Sequence, residues 1–208
     1  FGRQRAYANA VLVYERYKEF SQRNNNGYVI GAGLDWETAE RLSGNVKFNA
    51  NQQQTPFIIG GVAPVTVSNT ERSEDLNARV RLGLITALGF DASLGTRRVS
   101  FSEPEFASQE YKQDNATLGI SYRTSGILGL GAGFRGERTR FGSAAPGQTE
   151  PDQSDRQDFY IAADWVPTGA STVTARLYFG KIEYKLATAA DFEGVTGLLV
   201  WAWKPTGQ

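Results

Sequence analysis

YVIGAGLDWE, residues 28–37, alternates from end to end. Tyr28, Ile30, Ala32, Leu34 and Trp36 fall on one side, and Val29, Gly31, Gly33, Asp35 and Glu37 on the other. Successive Cβ atoms of a strand point to opposite faces, so this period of two reads as a strand with one apolar face. The opposite face is small or charged. The pattern returns at Leu76, Ala78, Val80, Leu82 and Leu84 against Asn77, Arg79, Arg81 and Gly83. It returns at 116–123, where Ala116, Leu118, Ile120 and Tyr122 oppose Thr117, Gly119, Ser121 and Arg123. At 128–135, Leu128, Leu130, Ala132 and Phe134 oppose Gly129, Gly131, Gly133 and Arg135. At 159–165, Phe159, Ile161, Ala163 and Trp165 oppose Tyr160, Ala162 and Asp164. Segments near 5–17, 45–53, 90–100, 171–185 and 195–204 bring the total to about ten strands. Parity changes within 171–185, between Phe179 and Ile182. A bulge near Gly180–Lys181, or the strand leaving its apolar zone, accounts for that.

The connections alternate in length. Short ones (TAERLSG, TALG, TSG, PTGAS) follow the even strands. Long polar ones, from KEFSQRNNNG to LATAADFEG, follow the odd strands. Short turns at one end and long loops at the other are the pattern of a bacterial outer-membrane barrel. Trp36, Tyr122, Trp165 and Trp203 each close an even strand before a short turn. A belt of amphipathic rings at the membrane–water interface has that placement. Aromatics at strand ends also occur in ordinary β proteins.

Composition bounds the chemistry. The 208 residues carry 22 Lys and Arg against 22 Asp and Glu, so no nucleic-acid partner is expected. Cys, His and Met are absent. Without Cys there is no disulfide framework and no thiolate metal site. Without His the commonest catalytic base and metal ligand are gone. Without Met the chain is expected to begin after its translation start. No run of about 18 apolar residues marks a transmembrane helix. The mean hydropathy of −0.39 is compatible with membrane strands, which need only about 10 alternating residues each.

The expected fold is all-β: an antiparallel transmembrane β-barrel, a single outer-membrane domain over 1–208, with about ten strands visible. Lipid cannot satisfy a free sheet edge, so a spanning sheet must close. The last strand runs into WKPTGQ (203–208), a turn signal, so further strands are expected in the full protein. Ten strands closing by themselves is the alternative.

Parity assigns Asp35, Glu37, Lys47, Asn49, Asn77, Arg79, Arg81, Arg97, Arg123, Arg135, Glu137, Asp164 and Arg176 to the lumen, with Tyr160 and Tyr178. A ladder of cross-strand ion pairs stiffening the wall is one reading of this set. A hydrated path favouring anionic or hydroxyl-rich solutes, with Tyr rings stacking on sugars, is the other, and the two are compatible. GLGAGFRGE (129–137) lies on a strand, so its glycines do not form a phosphate loop. Glu103 and Glu105 read as solvated loop charges. The acids of 150–155 lack ordered ligand spacing, so no metal or cofactor is expected. No catalytic residues emerge, and the chain is not expected to be an enzyme. The apolar run PFIIGGVAPV (56–65) fits a small core within its own loop, a lumen constriction, an outer rim or a protomer contact.

GLDWETAERLSGNVKFNANQQ, EYKQDNATLGISYRTSGILGLGAGFRGERTRF, DFYIAADWVPTGASTVTARLYFGKIEY and DFEGVTGLLVWAWKPTGQ together resemble the outer-membrane β-barrel proteins of exopolysaccharide biosynthesis, EpsL type. The resemblance spans most of the chain. It implies secretion with a signal peptide, location in the bacterial outer membrane and strands beyond residue 208. It also implies export or handling of an extracellular polysaccharide, with outer-membrane lipid and periplasmic export proteins as partners. No catalytic residues come with it. The alternatives are a general diffusion porin and a structural barrel sheathing a partner protein.

Overall fold

The structure, a computed structural model, describes residues 2–19, 24–38, 41–55, 68–83, 87–124, 126–186 and 190–204. Ten strands succeed one another in one antiparallel sheet, each paired to its neighbours in sequence. They are β1 (Arg3–Glu15), β2 (Asn25–Thr38), β3 (Leu42–Gln54), β4 (Thr70–Leu82), β5 (Leu88–Phe101), β6 (Tyr111–Thr124), β7 (Leu128–Phe141), β8 (Gln153–Thr168), β9 (Ser171–Tyr184) and β10 (Phe192–Trp203). A meander of hairpins suits the alternating lengths, because antiparallel neighbours need only a turn between them. Gly126, in the β6–β7 turn, has φ +74°, a conformation that a side chain disfavours.

The strands run past the alternating segments at the long-loop end. β4 begins at Thr70, β6 at Tyr111 and β8 at Gln153, and β7 continues to Phe141. Much of what the sequence presents as polar loop is therefore strand. Backbone pairing persists there although the apolar alternation that signals it has stopped. Register is unbroken through Gly180 and Lys181 against both β8 and β10, so no bulge accounts for the parity change. Ile182 and Tyr184 simply stand on the polar side of β9, beyond its apolar zone. The irregular point lies instead at Trp165–Thr168, where β8 enters its turn.

The sheet is open. Among the described residues β1 pairs only with β2 and β10 only with β9. Closure needs the first and last edges to meet at a definite tilt and stagger, and these ten strands leave both edges free. Every residue of β1 is exposed.

Directly opposed residues share a face, so the register sorts the side chains. One face carries Leu34, Leu94, Leu118, Leu130, Phe134, Phe159, Ile161, Leu177 and Leu199, all exposed. The other, the concave face, carries most of the charged residues, and its side chains from β4 to β9 line one hollow; on the edge strands it also carries exposed Val11, Val13, Leu198 and Val200. Buried hydrophobic residues are few: Ala50, Val99 and Phe106. Buried polar residues include Asn25, Asn69 and Asp158. Apolar outside and charged inside is the reverse of a water-soluble core. At the long-loop end the 3₁₀ turn Pro104–Gln109 seats Phe106 at 2 % exposure, its ring centroid 5.6 Å from that of Phe101.

Candidate functional site

The concave polar face is the candidate site. It is organised around residues small enough to be crossed by larger ones. The Tyr160 ring, from β8, lies over Gly133 of β7 and carries its hydroxyl to Gly119 of β6. A Cβ at Gly119 would stand 2.7 Å from that hydroxyl and 3.1 Å from the Asp91 carboxylate of β5. Asp91 in turn lies 3.5 Å from Arg79 of β4. On the other side, the Tyr178 ring centroid is 5.9 Å from that of Tyr160, tilted by 44°. One polar line thus crosses six strands. The glycines serve close approach here, since any side chain at 119 or 133 would displace Tyr160.

Charge is concentrated beside that line. Asp158 is 4 % exposed and accepts from Arg135 Nε and Arg156 Nε, each at 2.8 Å. Arg135 also sits 5.2 Å from the Tyr178 ring centroid, within cation–π range. Asp164 accepts from the Thr174 hydroxyl at 2.8 Å. The hollow in this face measures about 960 Å³ and is bordered by Arg79, Arg81, Arg123, Arg135, Tyr160, Asp164, Arg176 and Tyr178. A smaller one, about 360 Å³, lies over β1 to β4 at the short-turn end. It gathers Asp35, Glu37, Arg79 and Arg81 with Arg3 and Arg5. Arg3 stands directly opposite Glu37, and Arg5 opposite Asp35.

The remaining parity-assigned residues share this face but lie outside both hollows. Lys47 faces Asn77, Asn49 faces Asp75, Arg97 faces Asp75 and Gln113, and Glu137 faces Arg156. Trp36, Tyr122, Trp165 and Trp203 stand on the convex face at the short-turn end. The Trp36 ring covers Gly44 on β3, and Tyr122, Trp165 and Trp203 are exposed. The apolar run 56–65 lies outside the described residues.

Sequence reading overlooked Asp91, Arg156 and Asp158. Continuing the parity of 159–165 backward puts 158, 156 and 154 on the polar face, but no apolar partner residues mark those positions as strand. Phe106 was equally hidden, since a lone Phe in a polar loop has no period to reveal it. No group of three or more acidic residues suited to a metal ion occurs among the described residues. No family model matches the chain. No curated protein matches it either.

Proposed function

We propose that this sheet is part of the wall of an outer-membrane β-barrel whose hydrated, polar lumen conducts an extracellular polysaccharide. The carrying observation is the inverted distribution of side chains: exposed leucine, phenylalanine and isoleucine on the convex face, paired charges and tyrosines on the concave one. The outward residues of β7 remain apolar or small from Leu128 to Gly136. That is about 27 Å of strand at ~3.4 Å per residue. At a barrel tilt of about 40° it becomes roughly 20 Å of depth, comparable to the ~25 Å apolar band of outer-membrane barrels. Water-filled space is left on the other side, and its lining of guanidinium, carboxylate, hydroxyl and amide groups suits a hydrated, hydroxyl-rich solute. Tyr160 and Tyr178 offer ring faces beside Arg135, an arrangement able to hold a sugar by stacking and hydrogen bonding. The EpsL-type resemblance supplies the polymer. Strands additional to these ten would close the wall.

The lumen performs no bond chemistry in this reading. Its work is to keep water and polymer continuous across the membrane while the wall stays rigid. The test is single-channel conductance of the full-length protein in planar bilayers, with and without an anionic oligosaccharide. Conductance that the sugar blocks is the expected result. Conductance indifferent to sugar would favour a general porin. Proven insertion without conductance would favour a plugged barrel sheathing a partner.

A further inference from the structure

The convex face ends differently at its two rims. Its short-turn rim is aromatic. Its long-loop rim is charged, and the charges are arranged in a way that sheet stability does not explain. Arg98 on β5 stands directly opposite Lys112 on β6, and Lys112 directly opposite Arg140 on β7. All three are exposed. Like charges in directly opposed positions repel. On the concave face the same chain sets Arg5 against Asp35, Arg81 against Asp91 and Arg135 against Asp158. The row of three cations is relieved from within by Asp114, 3.4 Å from Lys112 and 3.2 Å from Arg140. Glu74, opposite Arg98, is already paired with Arg72, and Asp155 with Arg138. Arg72, Arg98, Lys112, Arg138 and Arg140 thus stand among Glu74, Asp114 and Asp155, with Glu110 just ahead of β6 and Glu183 opposite Asp155 further along the rim.

Immediately below, toward the middle of the apolar band, the same face has a groove of about 700 Å³. Ala78, Leu94, Ala116 and Gly136 are successive partners across its floor, with Leu76 and Phe134 also lining it. Ala116 and Gly136, adjacent small residues at one end of that row, leave a trough between Leu94 and Phe134. Arg138 and Arg140 border the trough at its charged end, together with Asp114 and Asp155. Cations above an apolar trough match an amphiphile with its anionic head toward the long loops.

We propose that this rim is a binding site for a phosphate-bearing lipid of the surrounding leaflet. Arg98, Lys112 and Arg140 hold the headgroup phosphate, and an acyl chain occupies the trough over Ala116 and Gly136. The inference rests on the membrane-spanning reading above, and does not depend on what passes through the lumen. A phosphate set over the row would replace repulsion with three charge-assisted contacts. The orientation also follows: the long loops lie on the side of the membrane richer in phosphate-bearing headgroups.

The test uses the full-length protein in an uncharged detergent, with lipid retention read by native mass spectrometry. Bisphosphorylated lipid A is expected to remain bound, and zwitterionic phosphatidylcholine to be lost. The triple substitution Arg98→Gln, Lys112→Gln, Arg140→Gln is expected to weaken lipid A binding roughly a hundredfold, from about a fivefold contribution per cation near an anionic surface. Gly136→Leu, which fills the trough and keeps the charges, should also weaken it. Binding unchanged by the triple substitution would overturn the site, as would equal retention of phosphatidylcholine. Displacement by inorganic phosphate at matched concentration would overturn the lipid assignment in favour of a free-phosphate site. Far-UV circular dichroism and heat-modifiable migration in gels report the barrel separately. A variant that keeps both signatures yet retains lipid A fully defeats this inference alone, whereas a parent protein that never inserts defeats the membrane reading with it.

Discussion

Asp158 is the residue on which the concave face most depends. Its carboxylate stands between Arg135 and Arg156 and is almost completely enclosed. Removing one member of a buried ion cluster leaves uncompensated charge, which costs more than the cluster contributes when intact. Both arginines retain about a third of their exposure, so solvent screens part of that loss. Asp158→Asn is therefore expected to destabilise the folded protein by about 2 kcal/mol, read as a lower urea midpoint in lipid vesicles. An unchanged midpoint would show that the arginines find other partners. Gly133 is the second such residue, because the Leu118 backbone carbonyl and the Tyr160 ring occupy the space a side chain would need. Gly133→Ala should displace that ring and lower stability, while Gly129→Ala, with only distant neighbours near 3.8 Å, should be tolerated. Equal midpoints for the two variants would mean that the Tyr160 ring and the β6 backbone at Leu118 both give way at no cost.

At the scale of the element, each strand has two zones. From β4 to β8 the apolar zone reaches from the short turn to about the middle, and beyond it both faces are largely polar, whereas β1 and β2 stay apolar at the long-loop end through Val11, Leu12, Val13, Val29 and Ile30. A charge placed on the convex face is thus expected to matter by depth. Ile120→Arg, opposite Ala132 at the middle of the apolar zone, should cost ~2–4 kcal/mol in a bilayer, whereas Thr117→Arg on the concave face should cost little. The difference in urea midpoint between the two variants checks this; similar midpoints would argue against lipid on the convex side. The loop between β7 and β8 has its own attachment. Glu150 accepts from Lys185 Nζ at 2.9 Å, and that hydrogen bond holds the Glu150 carboxyl below its usual range. A carboxyl depressed by folding stabilises above its unfolded pKa, and the contribution is lost as pH falls through the folded value. Protease cleavage of the loop should therefore quicken as pH drops below the ordinary carboxylate range. Lys185→Gln should remove that pH dependence, and its persistence would assign it to another group.

At the scale of the molecule, the two faces predict two independent signals. Trp201 and Trp203 lie on the convex face with ring centroids 6.3 Å apart. Trp203 closes β10 near the short-turn rim, and Trp201 stands one side-chain step deeper. Brominated lipids should quench Trp201 more strongly than Trp203 when the bromine lies deep in the acyl chain, each measured with the other tryptophans replaced by Phe. Absence of quenching at either would place this face in water. The concave face should govern conduction. Arg79 borders both hollows and lies 3.5 Å from Asp91, so Arg79→Glu with Arg81→Glu should shift ion selectivity toward cations. An unchanged reversal potential would remove these residues from the path.

How far these features were legible in the sequence depends on what carries their signal. Strand number and the two chemically distinct faces are already set by the alternation, because side-chain direction along a strand is dictated by covalent geometry, and the short connections mark which strands form hairpins. The grouping of Arg79, Arg81, Arg135, Tyr160 and Tyr178 on one face follows from the same parity. Where strands end does not, since pairing in the outer zone is held by backbone hydrogen bonds that leave no mark on side-chain pattern. Partners across strands depend on register, and register emerges only when turns and neighbours are in place. Asp158 between two arginines, Tyr160 laid across two glycines, and three cations aligned over an apolar trough were thus decided by the tertiary structure alone. Each depends on contacts between different strands, such as Arg135 of β7 with Asp158 of β8, that exist only because the ten strands pair in sequence order.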